Sequence, residues 1–428
     1  MLESGESQPR PICLASTRGR LTQSFRLNQS SPAHQPEGVP SVPGKEERAT
    51  AGPNYFKSAE WSPDNTTLLT DSADHNLRTY ILPPDLLDKK ESPHQLSPFS
   101  VFSSGEPTYA STFYPFFSLR EPSSALFLSS VRDHPIRLTS ALEPTSLATY
   151  SLVNPTTEAF ITPHSLVYPP SLGGTHFLTG SDSLICLFDV SRPGNEGPVS
   201  WMPTIPSKRK QLVGGGIGMK GIVSAMAVNP TECGILAAGT FSRNVGLYDS
   251  NGSGQSLGTF NVAKTEADRD IGGCGITQLI WSPCGRYLYI AERKSDGVMI
   301  YDIRVTGQLL GWLRGRSALT NQRMKIDMVA TGQGSSHEIW AGGTDGFVRL
   351  WQDPTYSAGE QEPRWQWRAD DNSISSVVMR PTGNIAATTS GQKRFTYHAG
   401  DTCDIYPTTS LNHSLDVWLL PRVAGFEI

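Results

Sequence analysis

Along most of the chain, short runs alternate between apolar and polar positions, and each run is closed by a turn. In GGTDGFVRLW (342–351), Phe347, Arg349 and Trp351 fall on one side, Val348 and Leu350 on the other. Period-two alternation predicts a strand, and the Asp–Gly pair ahead of it predicts a tight hairpin turn. The same shape returns in TDSADHNLRTYIL (70–82), SSVRDHPIRL (129–138), LTGSDSLICLFDV (178–190), AAGTFSRNVGLYD (237–249) and AERKSDGVMIYDI (291–303). TTSGQ (388–392) opens a seventh copy, and LDVWLL (415–420) reads as its delayed second strand. Most copies are preceded by another strand and a proline or glycine turn, as in AEWSPDNTTLL (59–69) and QLIWSPCGRYLYI (278–290).

The turn prolines Pro63, Pro115, Pro169, Pro230, Pro283 and Pro381 are 52, 54, 61, 53 and 98 residues apart, the last interval being a doubled period. A four-stranded unit recurring at this interval predicts an all-β fold, a β-propeller of seven blades. Residues 54–428 are assigned to it. Residues 1–53 are poor in large apolar side chains and are expected to be a mostly disordered tail. A propeller must close its ring, and RPICLAS (10–16) and SFRLN (24–28) are the two candidates for a closing strand. Loops are expected at 83–106, 193–221, 251–275, 353–365 and 392–413.

The repetition decides how the turn aspartates are read. Asp74, Asp133, Asp296 and Asp345 recur at equivalent turns, which suits backbone hydrogen bonding that fixes a hairpin. A catalytic acid would be unique. No enzyme is expected, and neither a metal nor a cofactor. Gly216-x-Gly218-x-x-Gly221 matches a dinucleotide fingerprint in letters, yet a strand follows where a helix N-terminus is required. Gly254-x-Ser256-x-Gly258 matches a nucleophile elbow but leads into an outer strand rather than a helix. His75, His134 and His164 sit at turns without partners at metal-ligand spacing.

Composition narrows the function further. Net charge is −4 and the pI about 6.2, so a nucleic-acid site must be a local basic patch on a neutral body. The cysteines at 13, 186, 233, 274, 284 and 403 form no C-x-x-C pair. Cys186, Cys233 and Cys284 are expected to be buried thiols. No run approaches the length of a membrane helix, and no signal peptide is read, so a monomer inside the cell is expected. Loops between second and third strands all emerge on one face, and carry Arg132, Arg243, Arg293 and Lys294. Asn321, Gln322 and Arg323 enter the sixth blade on that face. Guanidinium groups beside amides suit phosphate oxygens and exposed base edges, so these seven residues are the candidate RNA-binding set. Lys208-Arg209-Lys210 is a short basic run that fits a nuclear-import signal, a phosphate contact or a solvated loop.

The chain resembles the telomerase Cajal body protein family of WD-repeat proteins from about Tyr55 to Gln392. The resemblance is carried by WSPDNTTLLTDSADHNLRTYILPP (61–84), SSVRDHPIRL (129–138), PHSL (163–166), SRPG (191–194), SRNVGLYD (242–249), TNQR (320–323) and TTSGQ (388–392). It implies a nuclear factor, Cajal-body-associated in part of the family, that binds small Cajal-body RNA or telomerase RNA in H/ACA-type particles. For a fungal member, which is what we expect here, it implies spliceosomal small nuclear RNA and pre-mRNA splicing. The alternative is a protein scaffold in splicing that makes no direct RNA contact.

Overall fold

The computed structural model describes residues 10–18, 54–206, 218–231, 234–249, 255–332, 335–393 and 413–421. Seven sheets follow one another around a central channel, antiparallel apart from one short parallel strand added to the outer edge of blades five and seven. Blade one runs from Phe56–Trp61 to Ser100–Ser103, blade two from Thr108–Phe113 to Ser146–Tyr150, and blade three from Ser165–Val167 to Ser200–Pro203. Blade four spans Val223–Val228 to Ser256–Asn261, blade five Ile276–Trp281 to Gln308–Leu313, and blade six Ile326–Ala330 to Trp365–Arg368.

Blade seven is composite. Ile374–Met379, Ile385–Ser390 and Leu415–Leu419 come from the C-terminal part, and its outer strand is Ile12–Ser16. The first of the two candidate segments therefore closes the ring; 24–28 lies outside the described residues. The closure is held by polar bonds as well as backbone pairing. Ser16 Oγ donates to the buried Asp416 carboxylate at 2.5 Å, and Arg18 pairs with Asp416 at 2.9 Å and Asp370 at 2.8 Å.

Hydrophobic clusters lie between neighbouring blades. One joins blades four and five through Ala237, Val245, Leu247, Ile276, Trp281 and Tyr301. Another spans the closure, packing Ala15 and Val417 with Leu68 and Tyr80 of blade one. Each blade is thus apolar on both faces, which is why its second and third strands show the strongest pattern.

Several expected loops hold strands instead. The stretch 83–106 contains the outer strand of blade one, 193–221 that of blade three, and 251–275 that of blade four. The 353–365 stretch carries Gly359–Gln361, which pairs parallel with the outer strand of blade five. Outer strands lie at the blade rim and are mostly half-buried or exposed, so they carry fewer apolar residues and read as loops. The 251–275 stretch also holds a short helix, Glu266–Ile271, whose N-cap Thr265 accepts from Asp268 N–H and which buries Ala267 and Ile271. Cys186 is buried, Cys284 only half so, and Cys233 lies outside the described residues.

The inner strands carry a recurrent irregularity. In blades one, two, four, five and seven the register slips at the first residues, leaving Lys57, Tyr109, Ser224, Thr277 and Ser375 as bulged positions. A bulge reverses the alternation and re-aims a side chain. It also frees main-chain carbonyls toward the channel.

Two of the four turn aspartates share one geometry. Asp345 accepts from Phe347 N–H at 3.2 Å and from Arg349 at 3.0 and 2.5 Å. Asp74 does the same with Asn76 N–H and Arg78. Burial pushes both carboxyls up, and the arginine more than offsets this, so both lie below the usual range. Asp296 instead accepts from Ser317 N–H at 2.7 Å, tying blade five to the loop that enters blade six. Asp133 lies beside Arg132, 3.5 Å from its Nε. Asp345→Ala should cost about 1–3 kcal/mol in denaturant unfolding, because Arg349 loses its acceptor. Any function of the folded fraction should survive; a normal melting temperature with function abolished would contradict this assignment.

Candidate nucleic-acid interface

The channel opens on the face that carries the turns between second and third strands. Backbone bonds pin these turns to the entry loops: Ala73 N–H to Tyr55, Arg132 N–H to Pro107, Lys294 N–H to Thr320 and Thr344 N–H to Ser317. The mouth is a cavity of about 530 Å³ lined by residues of blades one to six and by Lys393. Five cations line it, Lys57, Arg293, Arg323, Lys325 and Lys393, against two carboxylates, Glu60 and Asp71.

The carboxylates are held internally. Asp71 pairs with Lys57 at 3.1 Å, and Glu60 accepts from Thr112 Oγ1 and Phe113 N–H. Burial raises both carboxyls, with the neighbouring lysines opposing it. Lys325 is depressed by burial and supported chiefly by Glu60.

Arg323 crosses the cavity toward blades four and five. It donates to Thr277 O at 2.6 Å and Ser224 O at 3.3 Å, the carbonyls of two bulged positions. Burial, and then Arg293 nearby, pull its guanidinium down to about 10, so it stays charged at neutral pH. Neither Arg293 nor Arg323 has a carboxylate within ion-pair distance among the described residues, and the Nε of each is buried without a partner. Arg323 feels Asp71 across the cavity as well as Arg293, so the two guanidinium charges are only partly neutralised and suit an anion.

Aromatic groups flank this pair. Tyr109 stacks on His164 with ring centroids 4.4 Å apart, His164 meets Phe241 edge-on at 6.3 Å, and Arg293 lies 4.4 Å over Phe241. Burial and the two arginines lower the His164 pKa, which keeps the ring neutral. Aromatic rings interleaved with cations in one cavity supply the two kinds of group that hold single-stranded nucleic acid, stacking partners for bases and charge for phosphates.

The seven candidate residues divide. Arg293, Asn321, Gln322 and Arg323 converge on the cavity. Arg132 and Lys294 are exposed outside it, Arg132 pairing with Glu106 at 3.0 Å. Arg243 is occupied: it binds Glu292 at 2.8 and 2.7 Å and Asp268 at 2.6 Å. Burial works against its charge, and these bonds more than offset that, holding its pKa above the ordinary value.

Gln322 is also occupied. It is buried, its Nε2 donates to Gly391 O at 3.0 Å, and its Oε1 accepts from Lys393 N–H at 2.9 Å. Its neighbour Asn321 is exposed on the cavity wall. Gln322→Ala should lower the melting temperature and weaken cognate and scrambled RNAs alike, whereas Asn321→Ala should change their ratio at constant stability. Thermal melts with paired binding curves check both. Lys208-Arg209-Lys210 lies outside the described residues.

Lys57, Tyr109, His164, Phe241, Lys325 and Lys393 were not among the candidates. Lys57 and Tyr109 are bulged residues, so simple alternation misplaces them. Phe241 and His164 adjoin the turns singled out, and only their spacing from the inner strands marks them.

No family model matches the chain. It is 30% identical over 356 residues to telomerase Cajal body protein 1 of Rattus norvegicus, covering 82% of this chain but only 61% of that protein, less than two thirds. Guanine nucleotide-binding protein negative regulator 1 of Schizosaccharomyces pombe is 32% identical over 302 residues, 70% of this chain and 71% of that one. Protein SWT21 of Kluyveromyces lactis is 28% identical over 352 residues, 78% and 77% of the two chains. With this identity and coverage spread over a seven-bladed propeller, the chain belongs to the telomerase Cajal body protein family of WD-repeat proteins.

Proposed function

We propose that the protein binds single-stranded RNA at the mouth of its propeller channel, as a nuclear component of small ribonucleoprotein particles, and performs no chemistry on it. One observation carries this reading. Arg293 and Arg323 line one cavity beside Tyr109, His164 and Phe241, and among the described residues neither has a carboxylate within ion-pair distance. The cations would neutralise phosphates, the rings would stack bases, and exposed Asn321 would meet a base edge. The RNA classes in keeping with the family are small Cajal-body RNA, telomerase RNA and spliceosomal small nuclear RNA, with H/ACA-type or spliceosomal proteins as companions.

Filter binding of small nuclear RNA across a salt series tests the reading. Affinity should fall linearly with salt on logarithmic axes, with a slope set by the number of phosphates contacted. Sequencing RNA that co-purifies with the tagged protein would identify the class. A chain that retains no RNA at low salt would be a protein scaffold instead.

A further inference from the structure

Three blades carry an Asp and an Arg four residues apart at the turn between second and third strands: Asp74 and Arg78, Asp133 and Arg137, Asp345 and Arg349. In blades one and six the carboxylate takes the N–H two residues on and pairs with the arginine. In blade two the residue two on is Pro135, which has no N–H to give. The left-handed position also moves. It falls on Asp133 (φ 56°), not on the next residue as with His75 (φ 61°) and Gly346 (φ 79°). The Asp133 carboxylate swings to Arg132. Arg137 is left with no ion pair or side-chain hydrogen bond among the described residues.

Arg137 lines a groove of about 320 Å³ between the outer part of blade one and the middle of blade two. Its apolar lining includes Val101 and Phe102 over the buried Leu77 and Phe127, and Ser129 and Thr139 add hydroxyls. The blades are clamped at one end, where Ser100 Oγ donates to Leu142 O at 2.7 Å and Thr79 Oγ1 to Ala141 O at 2.9 Å. Beyond the clamp they part. Val101 stands at the groove with 42% of its surface exposed.

We infer that this groove docks an acidic peptide of a partner protein, with an apolar side chain over Val101 and Phe102 and an adjacent Asp or Glu carboxylate on Arg137. Charge complementarity favours this occupant. An unpaired guanidinium beside an apolar floor is a fork for one carboxylate, strengthened by partial desolvation. Nucleic acid is a poorer fit: the groove offers a single cation, and Phe102 and Phe127 pack edge-to-face at 5.0 Å rather than presenting open ring faces. The site is separate from the channel mouth and does not depend on RNA binding.

Fluorescence anisotropy on the full chain tests it, with acetylated heptapeptides that carry a central Leu or Phe followed by Glu, against the same peptides with Gln. The Glu series should bind about tenfold tighter or more, the loss expected when a charge-assisted pair is removed. Arg137→Gln should erase that ratio without lowering the melting temperature, because the side chain makes no internal bond. Ser103→Trp, which places bulk at the groove lining, should weaken both series while Arg137 remains. Equal or undetectable binding of the two series, or a ratio that survives Arg137→Gln, would overturn the inference. So would a loss of single-stranded oligouridylate affinity in Arg137→Gln that matches the loss for Glu peptides.

Discussion

A chain that begins after Arg18 is expected to lose the cooperative melting transition of the full protein. The segment it lacks is the outer strand of blade seven, and the rest of that blade comes from the opposite end of the chain. Removing it takes away the strand partner of Val417 and takes Ala15 out of the cluster that joins blades seven and one. The polar loss adds to this. Asp416 is 2% exposed, while Arg18 is 52% exposed, so the pair is lopsided: the acid is buried and its cation is wet. Arg18 by itself contributes modestly for that reason. Asp416 without Ser16 and Arg18, however, keeps only Ser414 as a side-chain donor among the described residues. A buried carboxylate stripped of most of its partners costs on the order of 3–5 kcal/mol, against about 5–15 kcal/mol for a whole domain.

Asp416→Ala in the full chain gives the graded version, an expected loss of about 2–4 kcal/mol by denaturant unfolding. Adding a synthetic peptide of residues 10–18 to the truncated chain should restore part of the transition in a concentration-dependent way. If the truncated chain melts within a few degrees of the parent, the strand is decoration and the ring is held by the remaining three strands of blade seven.

What could be read from the sequence follows the physics of each element. Second and third strands are packed on both faces and read as short, largely apolar runs closed by turns, so LTGSDSLICLFDV and AERKSDGVMIYDI announced themselves. Outer strands such as Ser256–Asn261 and Ser200–Pro203 are paired on one edge and half in water, and their composition is that of a loop. The short helix was legible in principle, because Thr265-Glu266-Ala267-Asp268 places a cap and two acids in its first turn.

The site was half legible for a similar reason. Loop residues keep their polarity whatever the register, so Arg293, Asn321 and Arg323 could be picked by type alone. Lys57 and Tyr109 are turned into the channel by a bulge, and a bulge leaves no mark in a period-two pattern. Nor does residue type show what a side chain is already doing. Arg243 and Arg293 look equivalent in the sequence, yet one is saturated by Glu292 and Asp268 and the other has a buried Nε with no acceptor.

That contrast sets the last expected result. Arg293→Ala combined with Phe241→Ala should weaken single-stranded RNA binding by roughly ten- to a hundredfold. A stacked base is worth about 1–3 kcal/mol by alanine substitution, and the lost phosphate contact should reduce the salt slope by about one unit or less. Stability should change little on the Arg293 side, since that guanidinium has no ion pair to lose. Arg243→Ala should do the reverse. It strands Glu292, whose side chain is 1% exposed and which keeps only Gly275 N–H as a donor among the described residues. The melting temperature should fall sharply, while the salt slope of the fraction still folded stays at the parental value. Binding isotherms at several salt concentrations, beside thermal melts of each variant, separate the two effects. Should the Arg293/Phe241 double variant bind as the parent does near physiological salt, the channel mouth is not the RNA site. Should Arg243→Ala change the slope by a full unit at unchanged stability, its pairing with Glu292 and Asp268 opens in solution and the loop cations form one continuous surface after all.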